Sequence, residues 1–285
     1  MRGDAARFLA YDPSEQPVAL QLGGSVPAEL AAAARLGEDA GFCEINLNVG
    51  CPSDRVQSGR FGACLIAEPD LVADCVAAMR AAVKVPVTVK TRLGVDDCDS
   101  YAHLVRLVAV LQDAGCHALL LHARKALLNF SPRANREIPP LDYARVYAIK
   151  QQFPSLTVVI NGGIGTLEAV RAHLAQVDGV MLGRAAYAQL ALLRDVDQVL
   201  FGEPSPIQDD AILLRGLQEY LEREIARGTD LRHMSKHWVG LRQGQPGARE
   251  WRRLIGSHAA RPNLSVRQAI DEAVATLGMA ARDAA

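Results

Sequence analysis

The 285-residue sequence has no apolar run long enough to span a bilayer, and it shows no signal-peptide pattern. It contains no C-x-x-C pair and no Cys/His cluster at zinc-finger spacing, so its six cysteines predict no metal site. Most of these cysteines lie in apolar runs and are expected to behave as small core residues. We expect a reduced, soluble, cytoplasmic protein.

The sequence also lacks a strong net charge, so no global field attracts nucleic acid; the formal value is −1. The charge is nevertheless unevenly distributed. From Ala211 to Ala285 there are 12 Lys/Arg and 8 Asp/Glu, a difference of +4, which leaves the rest of the chain acidic. This asymmetry indicates either an anionic partner for the C-terminal part or a solvated helical surface.

Short apolar runs alternate with alanine-rich helical patterns along most of the chain. Strands are predicted at 17–22, 42–48, 86–91, 117–122, 156–161 and 178–183. Helices are predicted at about 27–40, 69–82, 101–114, 141–152 and 166–175, with another from about 185. Strands that are continuously apolar, separated by helices, are typical of a parallel sheet covered on both faces.

Every predicted strand ends in a polar residue or glycine, and in a (β/α)8 barrel these positions share one rim. They are Gln21, Asn48, Lys90, His122, Asn161 and Gly183. No G-x-G-x-x-G turn follows the first strand, which favours a TIM-type barrel over a doubly wound sheet. Six strands are two fewer than a closed barrel needs. Either the barrel is not closed, or two βα units are missing from the N-terminus.

Strand signals stop after about Pro206. The sequence therefore predicts an α/β barrel domain over 1–206 and an all-helical domain over 207–285.

Cys51 follows the strand at 42–48 in the abrupt segment Val-Gly-Cys-Pro, which continues neither a strand nor a helix smoothly. This places a thiol on a loop at the C-terminal end of a strand. Such a thiol can act as a nucleophile, a proton donor or a metal ligand, or it can be inert. No Cys-His-Asp arrangement is evident from the sequence.

Two glycine-containing segments follow the last two predicted strands: Asn161-Gly-Gly-Ile-Gly165 and Gly183-Arg184. Paired loops of this kind bind phosphate in (β/α)8 barrels through exposed backbone N–H groups. The alternative is two tight turns that need glycine. Arg184 would supply a fork of donors to a phosphate.

Polar residues on the other strand ends each have two interpretations. Lys90, in an apolar strand, either meets an anion or extends its amine to the rim. His122 is either structural or part of a site, and its convergence with other polar rim residues favours the site. Gln21 can read the edge of a heteroaromatic ring through its amide donor and acceptor.

Arginines mark two further segments. Arg133 and Arg136 fall in a loop, and Arg249, Arg252 and Arg253 cluster around Trp251. Arginines interleaved with an aromatic residue suit a nucleic-acid backbone. For the second cluster, a surface helix with one buried tryptophan is the favoured alternative.

Taken together, seven motifs resemble the tRNA-dihydrouridine synthase family, and the resemblance extends from about Phe8 to Arg253. They are NLNVGCPSD at 46–54, GRFGACL at 59–65, HARK at 122–125, NREIPPL at 135–141, NGG at 161–163, DGVMLGR at 178–184 and RHM at 232–234. The similarity is greatest to the bacterial A-type subfamily, which modifies D-loop uridines at tRNA positions 20 and 20a.

The resemblance implies a flavin enzyme with a (β/α)8 barrel and a C-terminal helical domain. It implies FMN as cofactor, NADPH as reductant and tRNA as substrate, and a monomer is expected. Cys51 matches the family's proton donor. The positions that match FMN contacts are Gln21, Lys90, His122, Asn161, Gly162, Gly163, Gly183 and Arg184. The positions that match sites near bound tRNA are Asn48, Arg133, Arg136, Arg249 and Arg252.

The chain departs from the family pattern at its start. A first strand with a Pro-Met flavin contact and a second with a Thr-Glu-Met-like element have no counterpart, and residues 1–4 match the stretch just after the second. A family member lacking two βα units is therefore expected. Two other functions are considered: an FMN-dependent barrel dehydrogenase acting on a free pyrimidine, and a non-catalytic tRNA-binding remnant. The basic C-terminal part and the loop of Arg133 and Arg136 favour tRNA over a free base.

Overall fold

The computed structural model describes residues 5–205, 209–261 and 263–282. The chain forms two compact units. The first runs up to Gly163 and includes Ala172–Met181; the second comprises Ile164–Arg171 and the chain from Leu182 onward. The predicted domain boundary between 206 and 207 and the motif match at 1–4 lie outside the described residues. The division at 206 stays a prediction.

The first unit is built on a parallel sheet of six strands that are hydrogen-bonded in chain order. The strands are β1 (Ala19–Leu22), β2 (Glu44–Val49), β3 (Val87–Arg92), β4 (Ala118–His122), β5 (Thr157–Asn161) and β6 (Gly179–Met181). Each strand lies within one of the six predicted regions or extends it by one residue. The last is shorter than predicted, because pairing with β5 ends at Met181.

One face of the sheet is apolar, and in its central strands it is fully buried. Ile45, Leu47, Val89 and Leu119 point to this face and have no exposed surface. Helices of the first unit pack against the strands there. Burial of this face is the main driving force for the unit, since apolar area removed from water contributes about 25 cal/mol per Å².

The helices of the first unit begin at favourable capping positions. Pro27 and Pro69 occupy the first turns of two of them, and Ser100 and Asp142 cap two others by accepting from backbone N–H groups. The α-helices are α1 (Ala5–Leu9), α2 (Pro27–Asp39), α3 (Asp54–Ser58), α4 (Pro69–Ala82), α5 (Tyr101–Asp113) and α6 (Tyr143–Gln152). Short 3-10 helices lie at Pro13–Glu15, Gly62–Ala67 and Ala134–Arg136. Helix α7 (Leu167–Leu174) contributes residues to both units.

The described residues of the second unit form helices and turns and no strand. Its α-helices are α8 (Arg184–Ala188), α9 (Leu190–Arg194), α10 (Asp210–Gly216), α11 (Gln218–Ala226), α12 (Leu231–Ser235), α13 (Ala248–His258) and α14 (Val266–Arg282). A π-helix lies at Asp197–Phe201 and a 3-10 helix at Lys236–Arg242. The unit has its own core, in which the buried Trp251 donates from Nε1 to the carbonyl of Trp238 at 2.8 Å.

No described helix is long and apolar enough to cross a membrane. The expectation that most cysteines are core residues is wrong. Cys75 and Cys116 are buried, but Cys43 and Cys98 are exposed and two others are half-buried, because their runs lie at strand starts and loops rather than within the core.

Candidate active site at the ends of the parallel strands

The second face of the sheet carries a row of polar side chains across β1, β2 and β3. Gln21, Asn46 and Thr88 are register partners, so their side chains point the same way. Gln21 Nε2 donates to Asn46 Oδ1 at 2.8 Å, and Asn46 Nδ2 donates to Thr88 Oγ1 at 2.8 Å. The Thr88 hydroxyl donates to the Glu44 carboxylate. The row fixes the orientation of the Gln21 amide.

Lys90 lies one layer further along the same face, as the register partner of Asn48. Its Nζ reaches across β4 and donates to Asn161 Oδ1 on β5 at 3.5 Å. Asn161 Nδ2 in turn donates to the carbonyl of Met181 at 2.8 Å. Burial lowers the pKa of Lys90, the charge of Arg92 lowers it further, and a Cys51 thiolate acts in the opposite direction. Lys90 is thus a half-buried cation close enough to the thiol to interact with it electrostatically.

The loop that carries Cys51 is held by the side chain at the end of β2. Asn48 Oδ1 accepts from the backbone N–H of Gly50 at 3.0 Å and of Cys51 at 3.1 Å. Gly50 packs against β3 so closely that a Cβ there would lie 3.3 Å from the Thr91 backbone. The half-buried Cys51 Sγ lies 3.4 Å from Ser53 Oγ. Asn48 therefore sets the position of the thiol along the loop.

The segment at 59–62 closes over the other side of this loop. Ala63 N–H donates to the Cys51 carbonyl at 2.9 Å, and Gly62 has a positive φ of 75°. A Cβ at Gly62 would lie 2.6 Å from the Cys51 carbonyl oxygen and 2.3 Å from Val56 Cγ1. Only glycine fits this close approach without strain.

His122 and the glycines after β5 lie side by side on the rim. His122 is the register partner of Asn161, and a Cβ on Gly162 would lie 2.7 Å from the His122 ring. Gly162 and Gly163 both have positive φ, and Tyr143 OH donates to the Gly162 carbonyl at 2.7 Å. The first unit therefore brings together Gln21, Asn48, Cys51, Lys90, His122, Asn161, Gly162 and Gly163 along one face and rim of one sheet.

Gly183 and Arg184 belong to the second unit, where Gly183 precedes the first turn of α8 and Arg184 begins it. Their predicted role in phosphate binding remains a prediction.

The predicted arginines lie in two elements. Arg133 is exposed and pairs with Glu137 at 3.5 Å, whereas Arg136 is half-buried. The Nε of Arg136 is buried with no hydrogen-bond partner among the described residues. The loop that carries both arginines is organised by the fully buried Asn135, whose amide bonds to Leu127 through its oxygen and its nitrogen.

Arg249 and Arg252 are exposed on α13. Trp251 between them has no exposed surface, so it offers no face for stacking on a base. The alternative of a surface helix with one buried tryptophan is therefore correct for Trp251. Arg249 and Arg252 lie on the exposed surface of the same helix.

Arg92, at the end of β3, was missed by sequence reasoning, which ended this strand at Thr91. It is 5% exposed, and its guanidinium donates to the carbonyls of Gly50, Lys125 and Asn135. The available signal was its position two residues after Lys90, which puts it on the same face of the strand. Among the described residues, no group of three or more His, Cys, Asp and Glu side chains is arranged to hold a metal ion.

Comparison with known proteins identifies the family. The sequence profile described as dihydrouridine synthase matches residues 1–276. A tRNA-dihydrouridine(20/20a) synthase from Vibrio cholerae serotype O1 is 53% identical over 278 residues, covering 97% of this chain and 84% of the relative. The protein of the same name from Escherichia coli K12 is 54% identical over 254 residues, covering 88% and 74%.

A solved structure of phosphoenolpyruvate phosphomutase from Streptomyces platensis subsp. rosaceus is similar with a TM-score of 0.43 and 20% identity, over 71% of this chain and 69% of that one. This similarity is too low to support an argument. The family profile and the relatives are sufficient, and the family has the (β/α)8 barrel fold. Six parallel strands in chain order, followed in sequence by a helical region, agree with that fold, and the predicted fold class is confirmed. The chain belongs to the dihydrouridine synthase family.

Proposed function

We propose that this enzyme reduces uridine to 5,6-dihydrouridine in the D-loop of tRNA, at positions 20 and 20a, with FMN as cofactor and NADPH as reductant. We also propose that it acts as a cytoplasmic monomer. The observation that carries the proposal is the half-buried Cys51 thiol, fixed by Asn48 beside the polar face that holds Lys90. The names of relatives that are 53–54% identical support the choice of substrate.

The donor set on this face fits FMN. Gln21 presents an oriented amide to a ring edge, and Lys90 and His122 add polar groups along the same rim. Gly162 and Gly163 have positive φ and no side chains, which leaves their backbone accessible to a phosphate. We assign the ring to Gln21, Lys90, His122 and Asn161, and the phosphate to Gly162, Gly163, Gly183 and Arg184. When bound and reduced, FMN supplies the hydride that reaches C6 of the uracil.

The residues of the chain supply the proton and hold the substrate. Hydride addition at C6 leaves enolate-like charge on the base, and the Cys51 thiol donates its proton to C5 as a general acid. Lys90 places a positive charge beside this face and stabilises negative charge that develops there.

The target uridine must leave the stacked tRNA to reach the strand ends. We propose that Asn48 contacts the nucleotide. Arg133, Arg136, Arg249 and Arg252 would hold the tRNA backbone, since arginine forks match phosphate geometry.

The Cys51→Ala variant tests the proton-donor role. Dihydrouridine formation in an unmodified tRNA transcript, measured by nucleoside mass spectrometry, is expected to fall roughly 100-fold or more, the range for loss of a general acid. The affinity for tRNA should change less than twofold, because the thiol contributes little binding energy. The exposed Cys43, at the other end of β2, provides the matched control Cys43→Ala.

Three outcomes would contradict the proposal. Full activity of Cys51→Ala removes the thiol from the mechanism. Turnover of free uracil or uridine, with tRNA unreacted, would identify a dehydrogenase of free pyrimidines. Binding of tRNA by the FMN-loaded wild type without dihydrouridine formation would identify a non-catalytic tRNA-binding protein.

A further inference from the structure

Arg92 is a buried cation that donates hydrogen bonds to three backbone carbonyls. Its Nε donates to Gly50 O at 2.9 Å, and its Nη1 donates to Lys125 O at 3.1 Å and to Asn135 O at 3.2 Å. These acceptors are 33 to 43 residues away along the chain. One planar guanidinium therefore joins the end of β3 to three separate segments.

Each of the three segments belongs to the candidate site. Gly50 directly precedes Cys51, so the bond to its carbonyl holds the thiol loop in addition to the bond that its N–H donates to Asn48. Lys125 lies in the turn after β4, where it pairs with Asp99 at 2.8 Å. Asn135 is fully buried and organises the loop that presents Arg133 and Arg136.

The charge of Arg92 also acts at the thiol. Burial lowers the pKa of Arg92 to about 10, a Cys51 thiolate opposes this shift, and Arg124 and Arg136 add to it. Arg92 therefore stays protonated at neutral pH. Lys90 and Arg92 therefore both interact electrostatically with Cys51.

We propose that Arg92 is a positioning residue: its fork of hydrogen bonds to Gly50, Lys125 and Asn135 holds the thiol loop and the arginine loop in one arrangement around the substrate nucleotide. This inference rests on the proposed function for its substrate. Arg92 acts through the position of Cys51. A proton donor displaced by about 1 Å costs on the order of 100-fold in rate, which sets the expected effect.

Two substitutions separate geometry from charge. Arg92→Lys keeps the positive charge but loses the planar fork, so kcat for dihydrouridine formation should fall roughly 10- to 100-fold. The KM for tRNA should change less than threefold. Arg92→Gln loses both the charge and the fork, so its kcat should fall at least as much as that of Arg92→Lys.

Alkylation of the cysteines by iodoacetamide gives a readout that needs neither tRNA nor turnover. The rate at Cys51 is followed by mass spectrometry, with the exposed Cys43 in the same protein as internal reference. The ratio of the Cys51 rate to the Cys43 rate should change several-fold in Arg92→Lys and in Arg92→Gln, because the thiol loop loses the fork of hydrogen bonds that holds it. A role confined to stability would leave this ratio unchanged.

The matched control is Arg145→Lys. Arg145 also donates from Nη1 to a backbone carbonyl, that of Asp99 at 2.6 Å, and it pairs with Asp142 at 3.2 Å; both partners lie outside the thiol loop. Unchanged kcat in Arg92→Lys, an unchanged ratio of alkylation rates in Arg92→Gln, or an equal loss in Arg145→Lys would each overturn the proposal. If the wild type forms no dihydrouridine, the proposed function fails, while the alkylation rates still decide the role of Arg92.

A second variant covers the case in which substitutions of Arg92 prevent folding. Asn135→Ala leaves Arg92 and the thiol loop intact but releases the loop whose carbonyl Arg92 holds. If the link exists, the alkylation rate at Cys51 should change several-fold in this variant, although the Asn135 side chain bonds to Leu127, Phe130 and Ser131, which lie outside the thiol loop. An unchanged rate would show that the two loops are independent.

Discussion

At the residue scale, the position of the thiol depends on neighbours that have no chemistry of their own. Asn48 accepts two backbone N–H groups of the loop, and Gly50 lets the loop lie against β3. Gly62 lets the next segment approach the carbonyl of Cys51. A reactive side chain on a loop is precise only when the loop backbone is held in this way.

Gly62→Ala tests this constraint. Its φ of 75° is costly for an L-residue, and the added Cβ would lie 2.3 Å from Val56 Cγ1. The free energy of unfolding, measured in urea, should fall by about 1–3 kcal/mol. Activity per folded molecule should fall as well, since the Cys51 carbonyl must move. Gly216→Ala is the control, because a Cβ there meets no atom within 4 Å. Equal behaviour of the two variants would contradict the constraint.

Individual residues differed in how well the sequence predicted them. The placement of Cys51, Lys90 and His122 along one rim could be predicted because they lie at or just after the ends of apolar strands, and such positions share one rim in a parallel sheet. Arg92 was missed because its role depends on three carbonyls from distant segments, and no local pattern encodes them. The hydrogen bond of Gln21 to Asn46 was missed for the same reason.

At the element scale, the strands were predictable because they are short, mostly apolar runs that alternate with helical patterns, and the central strands β2 and β3 have buried residues on both faces. Loops were less predictable. The loop of Arg133 and Arg136 depends on the buried Asn135, and its chain path follows from hydrogen bonds to Leu127 and Phe130 rather than from turn residues.

Helix α13 gives an element-scale prediction about tRNA binding. Arg249 and Arg252 are exposed on it, whereas Trp251 is buried, so the helix is expected to contribute charge and no stacking. Arg249→Gln and Arg252→Gln should each weaken tRNA binding a few-fold. Each should reduce the slope of log affinity against log salt by about one, the value for one phosphate contact. The measurement is a filter-binding titration from low to high salt.

Arg267→Gln on α14 is the matched control, since Arg267 is 82% exposed and pairs loosely with Asp271 at 3.9 Å. Its salt slope should equal that of the wild type. If all three variants lose the same slope, the effect reflects total charge and not a tRNA contact of α13. An unchanged slope for Arg249→Gln and Arg252→Gln would remove both residues from the proposed interface.

At the scale of the whole molecule, each unit has its own core and its own buried histidine. His173 in the first unit lies against Tyr147, whose OH is 2.6 Å from His173 Nδ1, and burial lowers its pKa. His258 in the second unit packs edge-on to Trp238, with ring centroids 6.0 Å apart. Neither ring nitrogen of His258 has a hydrogen-bond partner among the described residues. Each unit therefore contains a buried histidine whose lowered pKa disfavours protonation of the ring.

His258 predicts the pH dependence of the second unit. Burial lowers the pKa of His258 from the ordinary 6.5. The charge of Glu272 raises this pKa in part, and the charge of Arg261 lowers it further. His258 therefore binds a proton more readily in the unfolded chain than in the folded unit. Stability is retained above about pH 6.5 and is lost as the pH falls towards the lowered value. Because both tryptophans lie in the second unit, the urea midpoint of tryptophan fluorescence reports on it. The urea concentration at this midpoint should decrease when the pH is lowered from 7.5 to 5.5.

His258→Phe keeps a ring against Trp238 and removes two buried polar atoms without partners. At pH 7.5 it should be at least as stable as the wild type, because leaving such atoms unpaired costs about 1–3 kcal/mol. Its fluorescence midpoint should fall less on acidification than that of the wild type. The exposed His233 provides the control His233→Phe, which should retain the wild-type pH dependence. If His258→Phe loses as much stability as the wild type at pH 5.5, then His258 is not the group that senses pH in this unit.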